Sequence, residues 1–549
     1  MHIPEGRVQK RWPPTRGGPA IPPDAGIIMT CEVRILEAKP VALLPNTPTP
    51  SKRRADGLWI LPPMVLVLIT YLWFISAGLW TTWPKTAVYD YYSSLAAAFQ
   101  NGQLYLQDPP SPQLLALPDP YRIGARKGIP HLWDATLYKD RYYLYWGPVP
   151  ALLLLPVRVL SGSRPVPDLY LAFSFVAGAY AVLCLILVRA WKRFYGTLSA
   201  WPLSLTLAVA GLAPPLTWML NRPEVYEAAI GAGQFFVLLG LYLCFRALDG
   251  GSRNGTSLAL ASACLGLALG SRTSQALPAV FVIFTTSLAL AIESRRRHLA
   301  SWPWKSWLML VLPAASAVAG LLWYNWARFG SIAEFGYRYQ LTLLQLPKHY
   351  DEVFSTVYIL PNLYNYFLNP FTMAADFPPI RPQYGSTELW PTLNLPRIYF
   401  SEAVTGLAFT FPFMVLAVFA LSGARRSAPS RSQPSAEARK SRLLTWLGAT
   451  TLGLSLVELA TLLVFFFATE RYLAELVPSL TLASSIGFWQ AYKSVERHAI
   501  RRRGLGILAI GLALASIVPS SLLAVSSYQE RMRTFNPALL SALSSLFQR

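Results

Sequence analysis

Apolar runs of about 20 residues recur along this chain, and clusters of lysine and arginine occupy every second connection between them. Arg189, Lys192 and Arg193 stand in one such loop and Arg246 and Arg253 in another. Arg295 to Arg297, the stretch from Arg425 to Arg442, and Lys493 to Arg503 fill the others. A helix of about 20 residues crosses the roughly 30 Å hydrocarbon core of a bilayer, and lysine and arginine stay on the cytoplasmic side. An all-α, multi-pass membrane protein is expected, with a side assigned to each loop. The composition, 53% hydrophobic and 14% charged, fits a fold whose exterior is lipid. The net charge of +21 lies beside the apolar runs. It therefore orients the chain and faces anionic headgroups, and no nucleic-acid partner is expected.

Residues 1–57 are rich in Pro and Gly without a sustained apolar period, and are expected to form a disordered cytoplasmic tail. No apolar core follows the first basic residues, so the tail is not a signal peptide, and Met29 is an alternative start. Lys52, Arg53 and Arg54 keep the N-terminus inside, and the first crossing runs from about 58 to 80. Further crossings are expected near 168–188, 200–220, 226–245, 256–271, 276–292, 306–324, 403–422, 443–467, 473–492 and 504–526. Residues 143–160 are short and contain Pro148, Pro150 and Pro156; counting them as a crossing would place the basic loops outside. They are read as a re-entrant or interfacial helix, which gives about eleven transmembrane helices and an outside C-terminus. The resulting division is a core of 58–402 with outer loops 81–142 and 325–402, a C-terminal module of 403–526, and an extracytoplasmic tail of 527–549. Cys31 lies in the first tail and Cys184, Cys244 and Cys264 within apolar runs, with neither disulfide nor metal-ligand spacing.

Both outer loops are rich in Tyr, Trp, Pro and acidic residues. Asp90 follows the first crossing in Tyr89-Asp90-Tyr91-Tyr92, and Asp134 sits in Trp133-Asp134-Ala135-Thr136-Leu137-Tyr138. A partly desolvated carboxylate among aromatic rings suits general-base work on a sugar or acceptor hydroxyl, because burial raises its pKa and rings stack on sugar faces. Arg222, Arg272 and Arg471 stand at outer helix ends, at the depth of a lipid phosphate, which guanidinium binds bidentately. Glu224, Glu470, Arg328 and Arg338 complete the expected substrate-binding set. Ordinary loop acids and snorkelling anchors are the competing interpretation of each residue. Glu458 lies deeper, in the 443–467 run, where an ionisable group is costly and is usually paired or functional. No metal-ligand spacing supports a divalent cation, although one is compatible with this chemistry.

The order of elements resembles the GT-C superfamily of polytopic glycosyltransferases, which includes protein O-mannosyltransferases and aminoarabinose transferases. The likeness lies in a first span followed by a large outer loop with an early acid, Asp90. Membrane-parallel helices, six further crossings, a second large outer loop and a helical module come after it. Local phrases resemble its bacterial members: GQLYL at 102–106, Tyr142-Tyr143-Leu144-Tyr145-Trp146-Gly147-Pro148, Trp323-Tyr324-Asn325 and Arg328-Phe329-Gly330. The resemblance implies transfer of a sugar from a polyprenyl-phosphate donor to a lipid, glycan or protein acceptor on the extracytoplasmic face of a bacterial cytoplasmic membrane. It places Asp90 where the family has its first-loop acid, slightly ahead of Asp134. Many relatives carry a second acid beside the first, whereas Tyr91 and Tyr92 follow here, which puts metal-assisted chemistry in doubt. A transporter or flippase of lipid-linked sugars would share the arginines without depending on one outer carboxylate. A non-catalytic scaffold would need neither.

Overall fold

The computed structural model describes residues 50–85, 89–213, 215–250, 255–296, 304–385, 389–390, 392–422, 436–526 and 531–547, with side chains from Trp59 onward. Met29, Cys31, Arg253, Arg297, Arg425 and most of the expected N-terminal tail lie outside these residues. Among the described residues, seven helices are long and apolar enough to cross a membrane. They are Asp168–Tyr195, Trp201–Asn221, Val225–Gly250, Thr273–Arg296, Trp304–Phe329, Ala436–Leu463 and Ala499–Val525. The chain is thus mostly helical and multi-pass.

Seven of the eleven expected runs form helices of that length and apolarity, and the other four take other forms among the described residues. The first helix begins at Pro50 and ends at Ile75, and its described apolar part, Trp59–Ile75, is short. Gly255–Ser271 has 17 residues, a length of about 25 Å. Leu473–Ser494 is long enough, but it carries Glu475 and several hydroxyl residues and is buried along most of its length. The 403–422 run does not form one helix. Phe411 turns away from helical geometry at φ −144° and ψ 49°, and Pro412, which has no N–H, restarts the chain as a 3-10 segment to Phe419. That segment lies so close to Leu473–Ser494 that a Cβ on Gly487 would come within 2.0 Å of the Leu416 carbonyl oxygen.

Within the region expected to be interfacial, Val149–Leu160 forms a helix of 12 residues, about 18 Å and too short to cross. Pro148 precedes it and Pro150 lies in its first turn. Arg158 turns inward, its Nε donating to Gln100 Oε1 at 3.1 Å on the helix Tyr91–Gln100. Gly147 abuts the end of Gly255–Ser271, where a Cβ would meet the Gly270 carbonyl oxygen at 2.0 Å.

Short strand pairings organise the connecting segments. Thr136–Tyr138 and Arg141–Tyr143 form an antiparallel hairpin with Thr136 opposite Tyr143. Its two turn residues, Lys139 and Asp140, both have positive φ, 45° and 57°, as a type I′ turn requires. Asn362 Nδ2 donates to the carbonyls of Leu462 at 3.1 Å and Phe465 at 2.7 Å, tying the 325–402 segment to the end of Ala436–Leu463. Arg531 reaches back across the chain: Nη1 donates to Phe74 O at 2.9 Å and Nη2 to Ile75 O at 2.7 Å. It thereby satisfies the carbonyls left open at the end of the first helix.

Candidate active site

Three junctions, two of them between distant segments, build the site. The first fixes Asp134: its N–H donates to Leu341 O at 3.0 Å, and the Leu341 N–H donates to Ala135 O at 2.9 Å. Thr136 bridges Gln340 in the same register. Asp134 has φ 61°, in the left-handed region where Asp and Asn are the best-tolerated residues after glycine. The second junction is the parallel pair Phe400–Ser401 with Phe467–Ala468, extended by Glu402 N–H to Ala468 O at 2.9 Å, which carries Glu402 toward Arg471. The third is the turn from Leu216–Asn221 into Val225–Gly250, which supplies Arg222 and Tyr226.

These junctions enclose a cavity of about 480 Å³. Its charged lining consists of two carboxylates, Asp134 and Glu402, against three guanidinium groups, Arg222, Arg397 and Arg471. Its aromatic walls include Trp133, Tyr145, Tyr337, Phe400 and Tyr472. The Tyr226 hydroxyl donates to Asp134 Oδ2 at 2.6 Å, and Gln340 Nε2 donates to Oδ1 at 3.1 Å. Burial pushes the Asp134 carboxyl above the usual range, and hydrogen bonds from Tyr226 and Thr342 with the charges of Arg471 and Arg222 reverse only part of that rise. Arg471 lies over the Tyr226 ring at 4.6 Å, with Nη1 3.5 Å from Glu402 Oε2. Its burial acts to lower the guanidinium pKa, but Glu402 and Glu227 more than offset this and keep it raised and charged. Thr469 Oγ1 donates to Glu402 Oε2 at 2.6 Å, and Arg222 Nε stands 3.5 Å from Glu224 Oε2. Arg397 is exposed at the rim. A net positive lining suits an anion, and the polarised carboxylate suits proton transfer.

The structure gathers Asp134, Arg222 and Arg471 from the expected set around this cavity, with Glu224 paired to Arg222. Asp90 does not line it. Asp90 precedes the helix Tyr91–Gln100, pairs with Lys85, and accepts from the Asp168 N–H at 3.1 Å through Oδ1. Tyr91 connects the two places: its hydroxyl donates to the Trp133 carbonyl, and its ring meets Trp146, which in turn meets Tyr226. Arg272 is paired with Glu475 and lies over Tyr472 at 5.1 Å, behind the cavity wall. Arg328 is turned into the fold, donating to Leu144 O at 2.6 Å and Asn325 Oδ1 at 2.8 Å. Arg338 is exposed over the Tyr350 ring at 4.5 Å. Glu470 accepts from the Thr405 N–H at 2.9 Å, and burial pushes its carboxyl up to about 7.

Glu402, Arg397, Tyr226 and Gln340 are site residues that sequence reasoning missed. Glu402 sits at the edge of an apolar run that was expected to be a span, so it read as a boundary residue. Its partner Arg471 and the Phe465-Phe466-Phe467 pairing lie more than 60 positions away and leave no periodic signal. Asp168 was likewise passed over as the first residue of a crossing. Tyr92 N–H donates to its two carboxylate oxygens at 3.2 and 3.3 Å, beside Asp90.

Among the described residues, no three His, Cys, Asp or Glu side chains are grouped so as to hold a metal ion. No family model and no characterised protein matches the chain by sequence. Solved structures to which it is similar include two of the Archaeoglobus fulgidus oligosaccharyltransferase. One is tethered to an acceptor peptide with the NVT sequon, at 13% identity and TM-score 0.41, covering 85% of this chain and 55% of that one. The other is AglB with an inhibitory peptide and a dolichol-phosphate, at 12% identity and TM-score 0.43, covering 90% and 60%. This chain therefore spans less than two thirds of the oligosaccharyltransferase's length. ArnT from Cupriavidus metallidurans bound to undecaprenyl phosphate matches at 13% identity and TM-score 0.40, covering 89% and 78%.

Proposed function

We propose that the chain is a membrane glycosyltransferase that moves a sugar from a polyprenyl-phosphate carrier to a hydroxyl-bearing acceptor in the cavity around Asp134. The observation that supports this reading is the convergence, in one aromatic-walled cavity, of a half-buried carboxylate of raised pKa with three guanidinium groups. In this reaction the acceptor oxygen bonds to the anomeric carbon as the bond from that carbon to the phosphate oxygen breaks. Asp134 takes the acceptor proton, and its raised pKa makes it a stronger base than an exposed carboxylate. Arg471 and Arg222 hold the phosphate whose negative charge grows as it leaves, and Arg397 at the rim assists its entry. Tyr226 and Gln340 hold the two Asp134 oxygens and so fix the direction in which the carboxylate is presented.

Asp90, with Lys85 and Asp168, is the competing catalytic group, since its acid and ammonium pair would serve the same roles closer to the first helix. Release of polyprenyl phosphate from a radiolabelled lipid-linked sugar, followed in membranes carrying Asp134→Asn or Asp90→Asn, tests the assignment. Loss in the first variant alone supports the cavity reading, and loss in the second alone moves the chemistry to Asp90. Parental turnover in both leaves carriage of the lipid, without transfer, as the better account.

A further inference from the structure

The end of the molecule opposite Asp134 carries a second cationic recess. The helix Leu473–Ser494 begins beside Arg471 and ends at Lys493 and Ser494, 22 residues or about 33 Å away. There, Lys493 faces Lys440 across a recess of about 350 Å³ that is completed by Phe194, Tyr195 and Ser441. Two spans end at this level together with the helix Leu473–Ser494, since Tyr195 closes Asp168–Tyr195 and Lys440 lies near the start of Ala436–Leu463. Depth therefore matches that of lipid headgroups.

Most of the surrounding charge is already matched, but these two lysines are not. Asp249 takes Arg189 at 2.7 Å and Arg193 at 2.8 Å, and Glu293 takes Arg442 at 2.9 Å. Arg439 is bonded to the carbonyls of Leu248 and Asp249, both at 3.0 Å. Lys493 donates one hydrogen bond, to Phe194 O at 3.3 Å, which leaves two N–H groups for a ligand. Lys440 has no ion pair among the described residues, although Glu437 lines the same recess. The hydroxyls of Ser441 and Ser494 add neutral donors at the same wall.

We propose that this recess binds a phosphate-bearing anion between Lys440 and Lys493, separate from the cavity around Asp134. The ligand class is a phosphate group carrying net negative charge, whether on an anionic phospholipid or free in solution.

The test uses the full chain, delipidated in neutral detergent, and measures thermal unfolding during titration with phosphatidylglycerol, with phosphatidylcholine, and with inorganic phosphate. A gain with phosphatidylglycerol alone identifies a lipid source, and an equal gain with inorganic phosphate identifies a soluble one. Replacing both lysines, Lys440→Ala with Lys493→Ala, should weaken the apparent affinity roughly 30-fold, at about fivefold per lysine near a headgroup. The double arginine variant keeps both charges and should retain binding, which separates lost binding from lost folding. The exposed pair Arg501→Ala with Arg503→Ala reports general surface charge. No titrant stabilising the parent, an unchanged alanine variant, or an equal loss in the Arg501/Arg503 control would each overturn the proposal.

Discussion

Replacing Asp134 by Asn tests the proposed chemistry with little disturbance of its frame. Asn tolerates the φ of 61° found at this position, whereas Ala would add roughly 1 kcal/mol of backbone strain. The amide also fits the local hydrogen bonds. Its oxygen accepts from Gln340 Nε2, and its NH2 donates to Tyr226 once that hydroxyl turns to become the acceptor. What disappears is the base. Loss of a general base lowers turnover by roughly 100- to 10,000-fold, about 2.7 to 5.5 kcal/mol in the barrier. Donor binding should stay level or tighten, because removing one of the two carboxylates leaves Arg222 and Arg471 freer for phosphate. Polyprenyl phosphate release under single-turnover conditions separates the chemical step from binding. The parent should also gain rate as pH rises through the elevated Asp134 pKa, since only the ionised form accepts a proton, and the variant should lose that dependence. Parental single-turnover rates in Asp134→Asn would refute the assignment.

Arg471→Lys should weaken binding of polyprenyl phosphate about tenfold and Arg471→Ala up to about a hundredfold, read by equilibrium binding of the labelled carrier, as the bidentate fork is lost. Arg272→Ala should act on the fold instead, leaving Glu475 without its partner in a buried setting at a cost of about 3 to 5 kcal/mol, seen in thermal unfolding. Glu470, pushed up to about 7 from 4.5, is more readily protonated folded than unfolded. Its contribution is therefore complete below about 4.5 and lost as pH rises through about 7, so Glu470→Gln should flatten that part of the stability profile. Gly487→Ala should destabilise by at least 1 to 3 kcal/mol, since the added methyl meets the Leu416 carbonyl.

The seven clear spans were legible because each is an uninterrupted apolar run whose length alone nearly determines its state. The 403–422 run looked the same by composition, yet Pro412 removes a donor at the point where Phe411 leaves helical geometry, and hydropathy does not register that break. The site divides in the same manner. Arg222 and Arg471 were visible as charges at the ends of apolar runs, and Asp134 as an acid among the aromatic residues of the first outer loop. Glu402 and Gln340 reach the cavity only through pairings between segments remote in sequence, to Ala468 and to Thr136 respectively. Asp90 appeared favoured by its closeness to the first span, whereas folding directs it to Lys85 and the Asp168 backbone. Position in a loop does not specify which wall of a cavity an acid will face.

The Arg531 contacts with Phe74 and Ile75 have a consequence for the order of assembly. The carbonyls at the end of the first helix find their guanidinium partner 456 residues further along the chain. At about 5 to 20 residues per second of synthesis, the interval is roughly 25 to 90 seconds. The end of the first helix therefore stays open until the Arg531 segment has been synthesised. A truncation before Arg531 would leave that first helix unlatched, a defect near Ile75 caused by a loss 456 residues away.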